Sequence, residues 1–253
     1  MPATNIDDVI ATLTRIIDDA RANASRLGYF AALYRRVTQS VKDGIAANRF
    51  QNGPMMERLD VAFANRYLDA IAQFQGGRQT TRSWAVAFQA ARNPFPLILQ
   101  QLLAGMNAHI NLDLGIATAA VAPGDQLPGV QADFDQINGV LASLVGTVEK
   151  ELAEVSPAIG LLEELGLHTE TAIINFDMQK ARDLAWFHAQ RLAATPTNEI
   201  DAVIAELDLV VAAFGELVAH PGPTIDAALA PIRLVENDNI RRVIAVLASP
   251  AAD

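Results

Sequence analysis

Apolar residues recur at the three- and four-residue spacing of a helix almost throughout this chain, whereas the strict apolar–polar alternation of a half-buried strand is hard to find. An apolar stripe at that spacing is buried only by packing helix on helix, so the pattern predicts an all-α fold. Helices are expected over residues 6–23, 28–47, 54–74, 83–92, 96–120, 131–155, 169–192, 199–219 and 223–247. The breaks carry ordinary punctuation: Asn52-Gly53-Pro54, Gly76-Gly77, Asn93-Pro94, Pro123 to Gly129, Pro196 and Pro221-Gly222-Pro223. Pro54 and Pro96 suit a first helical turn, where the missing N–H leaves nothing unsatisfied.

About nine helices in 253 residues, 51% of them hydrophobic, imply one multi-helix bundle with an ample core. The segment AAVAPGDQLPGVQ is the expected long loop, yet no shift in composition accompanies it. The chain is therefore read as a single helical domain over 1–253, with a lobe division near 121–130 as the lesser alternative. The sequence shows no fixed-period repeat and no low-complexity tract.

Charge and cysteine usage narrow the partners. Nineteen Lys and Arg against 29 Asp and Glu give a net charge of -10, which repels phosphate backbones and makes nucleic acid a poor partner. With no Cys there are no disulfides, thiolate metal sites, iron–sulfur clusters or Cys nucleophile, which fits a reducing, cytoplasmic setting. The opening MPATNIDDVIATLTRIIDD carries acids where a secretory leader needs a basic and then an apolar region, so it reads as the first helix. Residues 96–122 are long and apolar enough to suggest a membrane span, but Gln100, Gln101, Asn107, His109, Asn111 and Asp113 interrupt them. A buried helix without a membrane span is expected instead, and so apolar a chain is compatible with a homodimer.

The stretch LLAGMNAHINLDL, residues 102–114, is where chemistry is best concentrated. On a helix His109 and Asp113 stand four apart on one face, and Asn107 and Asn111 do the same on the adjacent one. Leaving such groups buried and unpaired costs ~1–3 kcal/mol each, so they must pair with one another, with other helices, with water or with a ligand. In the functional reading His109 is a general base or metal ligand oriented or charged by Asp113, and Asn107 and Asn111 hold a polar group of a ligand. In the structural reading the four form an internal network that fixes helix register.

Two further stretches carry candidate ligand-binding residues. In ERLDVAFANRYLDA, residues 57–70, Arg58, Asn65 and Asp69 form a polar line beside the stripe of Leu59, Phe63 and Tyr67. Packing against residues 102–114 would let Asn65 and Asp69 complete the polar cluster; otherwise the line is a solvated face. In NFDMQKARDLAWFH, residues 175–188, Gln179, Asp183 and Trp186 project together and Arg182 reaches toward a carboxylate on a neighbouring helix. Trp84 and Trp186, the only tryptophans, suit the core, and His188 is expected at the surface or boundary.

The blocks RLDVAFANRYLDA and AGMNAHINLDL, with ARDLAW at 181–186, resemble the signature blocks of a family of functionally uncharacterised bacterial helical proteins common in actinomycetes, a domain of unknown function. The resemblance runs over roughly residues 6–190 and weakens toward the C-terminus. It implies that Arg58, Asp60, Asn65, Asp69, Asn107, His109, Asn111, Asp113, Arg182, Asp183 and Trp186 belong to a shared pattern, and it carries no activity with it.

Several helical enzyme classes lack their spacing here. Ferritin-like di-metal sites need a Glu three residues before a His, and none of His109, His168, His188 and His220 has one. A HExxH pair, a phosphate-cradling Gly-Lys-Ser/Thr loop, a dinucleotide Gly-rich turn and a nucleophile elbow are absent. Asp7-Asp8 and Asp18-Asp19 lack the third acid of a magnesium-binding aspartate-rich helix, and Glu216 with His220 suits a helix cap. No motif names a cofactor. The expectation is a bundle that binds a small, mainly apolar molecule in a pocket around His109, as an acid–base lyase, isomerase, cyclase or hydrolase. The alternatives are a non-catalytic interaction or scaffold protein with a structural polar core, and a haem or mononuclear metal protein using His109.

Overall fold

The computed structural model describes residues 2–159 and 177–249, and every regular element among them is helical. The helices are α1 (Ile6–Ala22), α2 (Gly28–Ala46), α3 (Gly53–Gln75), α4 (Arg82–Arg92), α5 (Ile98–Met106), α6 (Gly115–Val121), α7 (Gln131–Val155), α8 (Met178–Ala193), α9 (Ile200–Ala219), α10 (Pro223–Val235) and α11 (Ile240–Leu247). A π-helical segment, Asn107–Leu114, joins α5 to α6, and a 3₁₀ helix, Gly124–Val130, leads into α7. Residues 169–176 of the expected seventh helix, and His168, lie outside the described residues.

Local chemistry sets the ends. Asn5, Asn52, Asp177 and Asn239 each accept a hydrogen bond from the backbone N–H two or three residues on, which satisfies one of a helix's orphan donors. Carboxylates brought from elsewhere in the chain close the start of α4 and the turn just ahead of α3. Asp208 of α9 accepts from Arg82 and Ser83 N–H at 2.7 and 2.9 Å, and Asp133 accepts from Gln51 and Asn52 N–H at 2.6 and 2.8 Å. Negative charge at these N-termini also suits the helix dipole.

The structure departs from the sequence expectation in three places. The expected helix over 223–247 is two helices, because Glu236 leaves α10 to accept from Ile98 N–H at the start of α5, at 3.2 Å, and from Ser156 Oγ at 2.7 Å. The expected loop at 123–129 is mostly 3₁₀ helix, whose Leu127 and Val130 are three apart and buried together. The expected helix over 96–120 is not continuous α-helix but widens into the π segment at its polar stretch.

Buried side chains form one large cluster from α1, α2, α3, α4, α5, α7 and α11, and a second from α2, α3, α6, α7 and α8 with their flanking turns. Phe63 and Met106 pack against both. Within the large cluster Phe30, Tyr34, Tyr67, Trp84 and Phe88 make a continuous set of ring contacts. The π segment runs through the middle of this interior, in contact with α3, α4, α5, α8 and α9.

Candidate functional site

Hydrogen bonds in a π-helix span five residues instead of four, a geometry that is rare and concentrates at functional sites. Here it carries Asn107, His109, Asn111 and Asp113, all buried. Residues four apart do meet: Asn111 Nδ2 donates to Asn107 Oδ1 at 2.8 Å, and His109 Nδ1 lies 3.9 Å from Asp113 Oδ2.

The four side chains differ in what they find. Asn107 Nδ2 donates to the Val211 carbonyl of α9 at 2.9 Å, so Asn107 is bonded through both side-chain atoms. Asp113 accepts from Trp84 Nε1 at 2.7 Å on one oxygen and from Arg66 Nε at 2.5 Å on the other. The backbone carbonyl of Asn111 receives His188 Nδ1 at 2.9 Å, and since a carbonyl only accepts, His188 carries its proton on Nδ1. His188 is thus buried rather than at the surface. Gly115 permits this close approach of α8, because a Cβ there would lie 2.8 Å from both the Ala185 carbonyl oxygen and His188 Cβ.

His109 has no such partners. Both ring nitrogens are buried without a hydrogen bond among the described residues, and Asp113 at 3.9 Å acts on the ring through its charge only. Aromatic contacts hold the ring: it stacks on Phe63 with centroids 3.6 Å apart and meets Tyr34 edge-on at 4.4 Å. Burial pushes its pKa below the usual histidine value, outweighing the upward pull of the Asp113 carboxylate, so the imidazole is neutral at pH 7.

His109 lines a cavity of about 380 Å³ bounded by α2, α3, α5 with the π segment, and α7, with Met178 and Arg182 added from α8. Its walls are mostly aliphatic and aromatic. The polar lining groups are Tyr34, Asp60, His109, Glu149 and Arg182, of which only Glu149 is exposed. Tyr34 Oη, Asp60 Oδ2 and Arg182 Nε, like the His109 nitrogens, have no hydrogen-bond partner among the described residues. Burial, with a smaller contribution from Glu57, raises the Asp60 pKa to about 7. Burial and the Asp60 charge hold the Tyr34 hydroxyl in its protonated form. Desolvation lowers the Arg182 guanidinium to about 10, still a cation at neutral pH.

The other expected site residues fall outside this pocket. Asn65 clasps the Ala3 backbone, accepting from its N–H at 2.8 Å and donating to its carbonyl at 2.9 Å. Its neighbour Arg66, rather than Asn65 or Asp69, reaches the polar cluster. Arg58, Asp69 and Asp183 are exposed, and Trp186 is half-buried with its ring 5.0 Å from Phe134. Tyr34 and Asp60 were not among the expected ligand contacts. Asp60 sits in the family-like block, but Tyr34 lies in an ordinary amphipathic helix where nothing local distinguishes it.

Among the described residues no three His, Asp or Glu side chains come together as a metal-binding group, and no helix is long and apolar enough to cross a membrane. Neither the curated proteins nor the solved structures offer a match to the chain. The model of a family of unknown function, DUF5995, matches residues 6–221, extending past the point near 190 where the motif resemblance weakens, and the chain belongs to that family.

Proposed function

We propose that this chain binds a small, mainly apolar metabolite of the cytoplasm in the cavity around His109 and performs acid–base chemistry on it. The observation that supports this reading best is that Tyr34 Oη, Asp60 Oδ2 and both His109 nitrogens are buried at one apolar cavity without partners among the described residues. Each group left so costs ~1–3 kcal/mol. Bare buried atoms also occur away from this cavity, at Asn111 Oδ1, Tyr67 Oη and Gln101 Oε1, but at the cavity those of Tyr34, Asp60 and His109 together line one apolar space of about 380 Å³. A ligand with polar functions supplies the missing bonds.

The roles follow from the protonation states. Neutral His109 accepts a proton, Asp60, titrating near 7, returns one, and the Tyr34 hydroxyl donates a hydrogen bond to an oxygen of the ligand. Taking a proton at one atom, of the ligand or of water, and delivering one at another, including to a leaving group, is common to lyases, isomerases, cyclases and hydrolases. Asp113 is a positioning residue that anchors the π segment to α3 and α4 and biases the imidazole by its charge. Native mass spectrometry of the purified protein tests this: a bound organic molecule lost in His109→Ala and Asp60→Asn is expected. An empty protein that no apolar compound stabilises against heat refutes it.

A further inference from the structure

The cavity is long, and among the described residues the one cationic side chain of its lining stands at one end. The α7 wall runs from Phe134 to Leu152, ~27 Å of helix at 1.5 Å per residue. Helix α2 lies antiparallel to it: Arg36 pairs with Glu151 near the end of α7, and Asp133 near its start binds the backbone just beyond the end of α2. One end of the cavity lies in the large core cluster at Phe30, Leu102 and Leu152, and the other in the second cluster at Val41, Leu114 and Phe134. Phe63 and Met106, which touch both clusters, mark the middle, and His109 stacks there on Phe63.

Arg182 stands at the second-cluster end. It is 4% exposed, its guanidinium lies 4.4 Å from the Phe134 ring centre, one terminal nitrogen donates to the Phe134 carbonyl, and Nε has no partner among the described residues. Asp135 and Asp183 are near enough to favour its charged form, yet neither comes within the 4.0 Å of an ion pair. Asp60, the buried carboxylate of the lining, does not bond to it either. A desolvated cation with no carboxylate in ion-pair contact among the described residues is unfavourable, and an incoming carboxylate matches the planar fork of a guanidinium.

We infer that the ligand is a long single-chain organic acid whose carboxylate meets Arg182 and whose apolar chain runs past His109 toward Leu152. The inference rests on the reading of the cavity as a ligand site. The thioethers of Met56, Met106 and Met178 in the walls adapt to the contour of a flexible chain. A double bond or oxygen function near mid-chain then lies beside Tyr34, Asp60 and His109, while the carboxylate fixes its register. Apolar recognition alone would let the chain slide; one charged end stops it.

The test uses the full chain, stripped of bound lipid, titrated near neutral pH with dodecanoic acid, dodecan-1-ol and dodecyl phosphate. The acid is expected to bind roughly tenfold or more tighter than the alcohol. Arg182→Met is expected to abolish that preference while the alcohol still binds. Acid and alcohol binding equally to the unmodified protein, or an undiminished preference in Arg182→Met, overturns the inference and leaves the cavity reading standing. The phosphate binding tightest overturns the carboxylate assignment alone. Binding of none of the three overturns both. If Arg182→Met does not fold, Arg182→Lys replaces it: a weakened but surviving acid preference is expected, and equal binding of all three probes overturns the inference.

Discussion

Replacing His109 with Leu separates a binding residue from a packing residue by the sign of its effect on stability. The imidazole is 3% exposed and makes no hydrogen bond among the described residues, so the substitution breaks none. It removes two buried polar nitrogens, each a burden of ~1–3 kcal/mol, and gives up aromatic stacking on Phe63 worth ~0.5–1.5 kcal/mol. Leu is similar in volume and apolar on all sides, and the adjoining cavity absorbs small differences in shape. The ligand-free His109→Leu protein is therefore expected to be at least as stable as the parent, and by up to about 5 kcal/mol more stable. Urea unfolding followed by far-UV circular dichroism, extrapolated to water with the slope unchanged, measures this directly. A loss of more than about 1 kcal/mol would refute the reasoning, because it would mean that the ring makes polar bonds the fold depends on.

The neighbouring positions behave differently. Asp113→Ala strips the partner from a fully buried Trp84 N–H and from an Arg66 that is 29% exposed, and is expected to lose about 3 kcal/mol in the same urea assay. Because folding raises the Asp60 pKa from 3.8 to about 7, the native state holds a proton the unfolded chain releases. Its stability contribution is full below pH 3.8 and lost as pH rises through about 7, a decline on the order of 4 kcal/mol that Asp60→Asn is expected to flatten in thermal melts across that range. Gly115→Ala places a methyl 2.8 Å from the Ala185 backbone oxygen, which cannot rotate away; about 1–3 kcal/mol of destabilisation is expected in urea.

Amphipathic helices were legible because buried and exposed residues recur at helical period, as in Ile6, Val9, Leu13, Ile17 and Ala20 of α1. The break at Glu236 was not, since it depends on an N-terminus 138 residues away that only the folded chain brings near. Polar residues inside the apolar stretch 102–114 announced a buried cluster, but not its division into bonded and bare groups. Asn65 and Arg66 show why: adjacent positions on a helix point about 100° apart, so a register error of one residue exchanges the clasp on Ala3 for the contact with Asp113. Arg58, Asp69 and Asp183 share the motif blocks with pocket residues yet face solvent, because a motif spells consecutive positions while a pocket samples one face. Tyr34 and Asp60 acquire meaning only through their common cavity.

The π segment joins the two readings that the sequence left open. Toward α4 and α9 its side chains are bonded, Asn107 to Val211 and Asp113 to Trp84, and those contacts fix the register of the central helix. Toward the cavity it presents His109, positioned by stacking between Phe63 and the edge of Tyr34 while both nitrogens stay bare. A proton-transfer group needs both conditions, a fixed ring and unoccupied nitrogens, and a ring held by hydrogen bonds would have surrendered the second to gain the first. The structural network and the proposed chemistry thus sit on adjoining faces of one helical segment: the bonds of Asn107 and Asp113 fix the backbone that carries His109, whose nitrogens stay bare as the proposal requires.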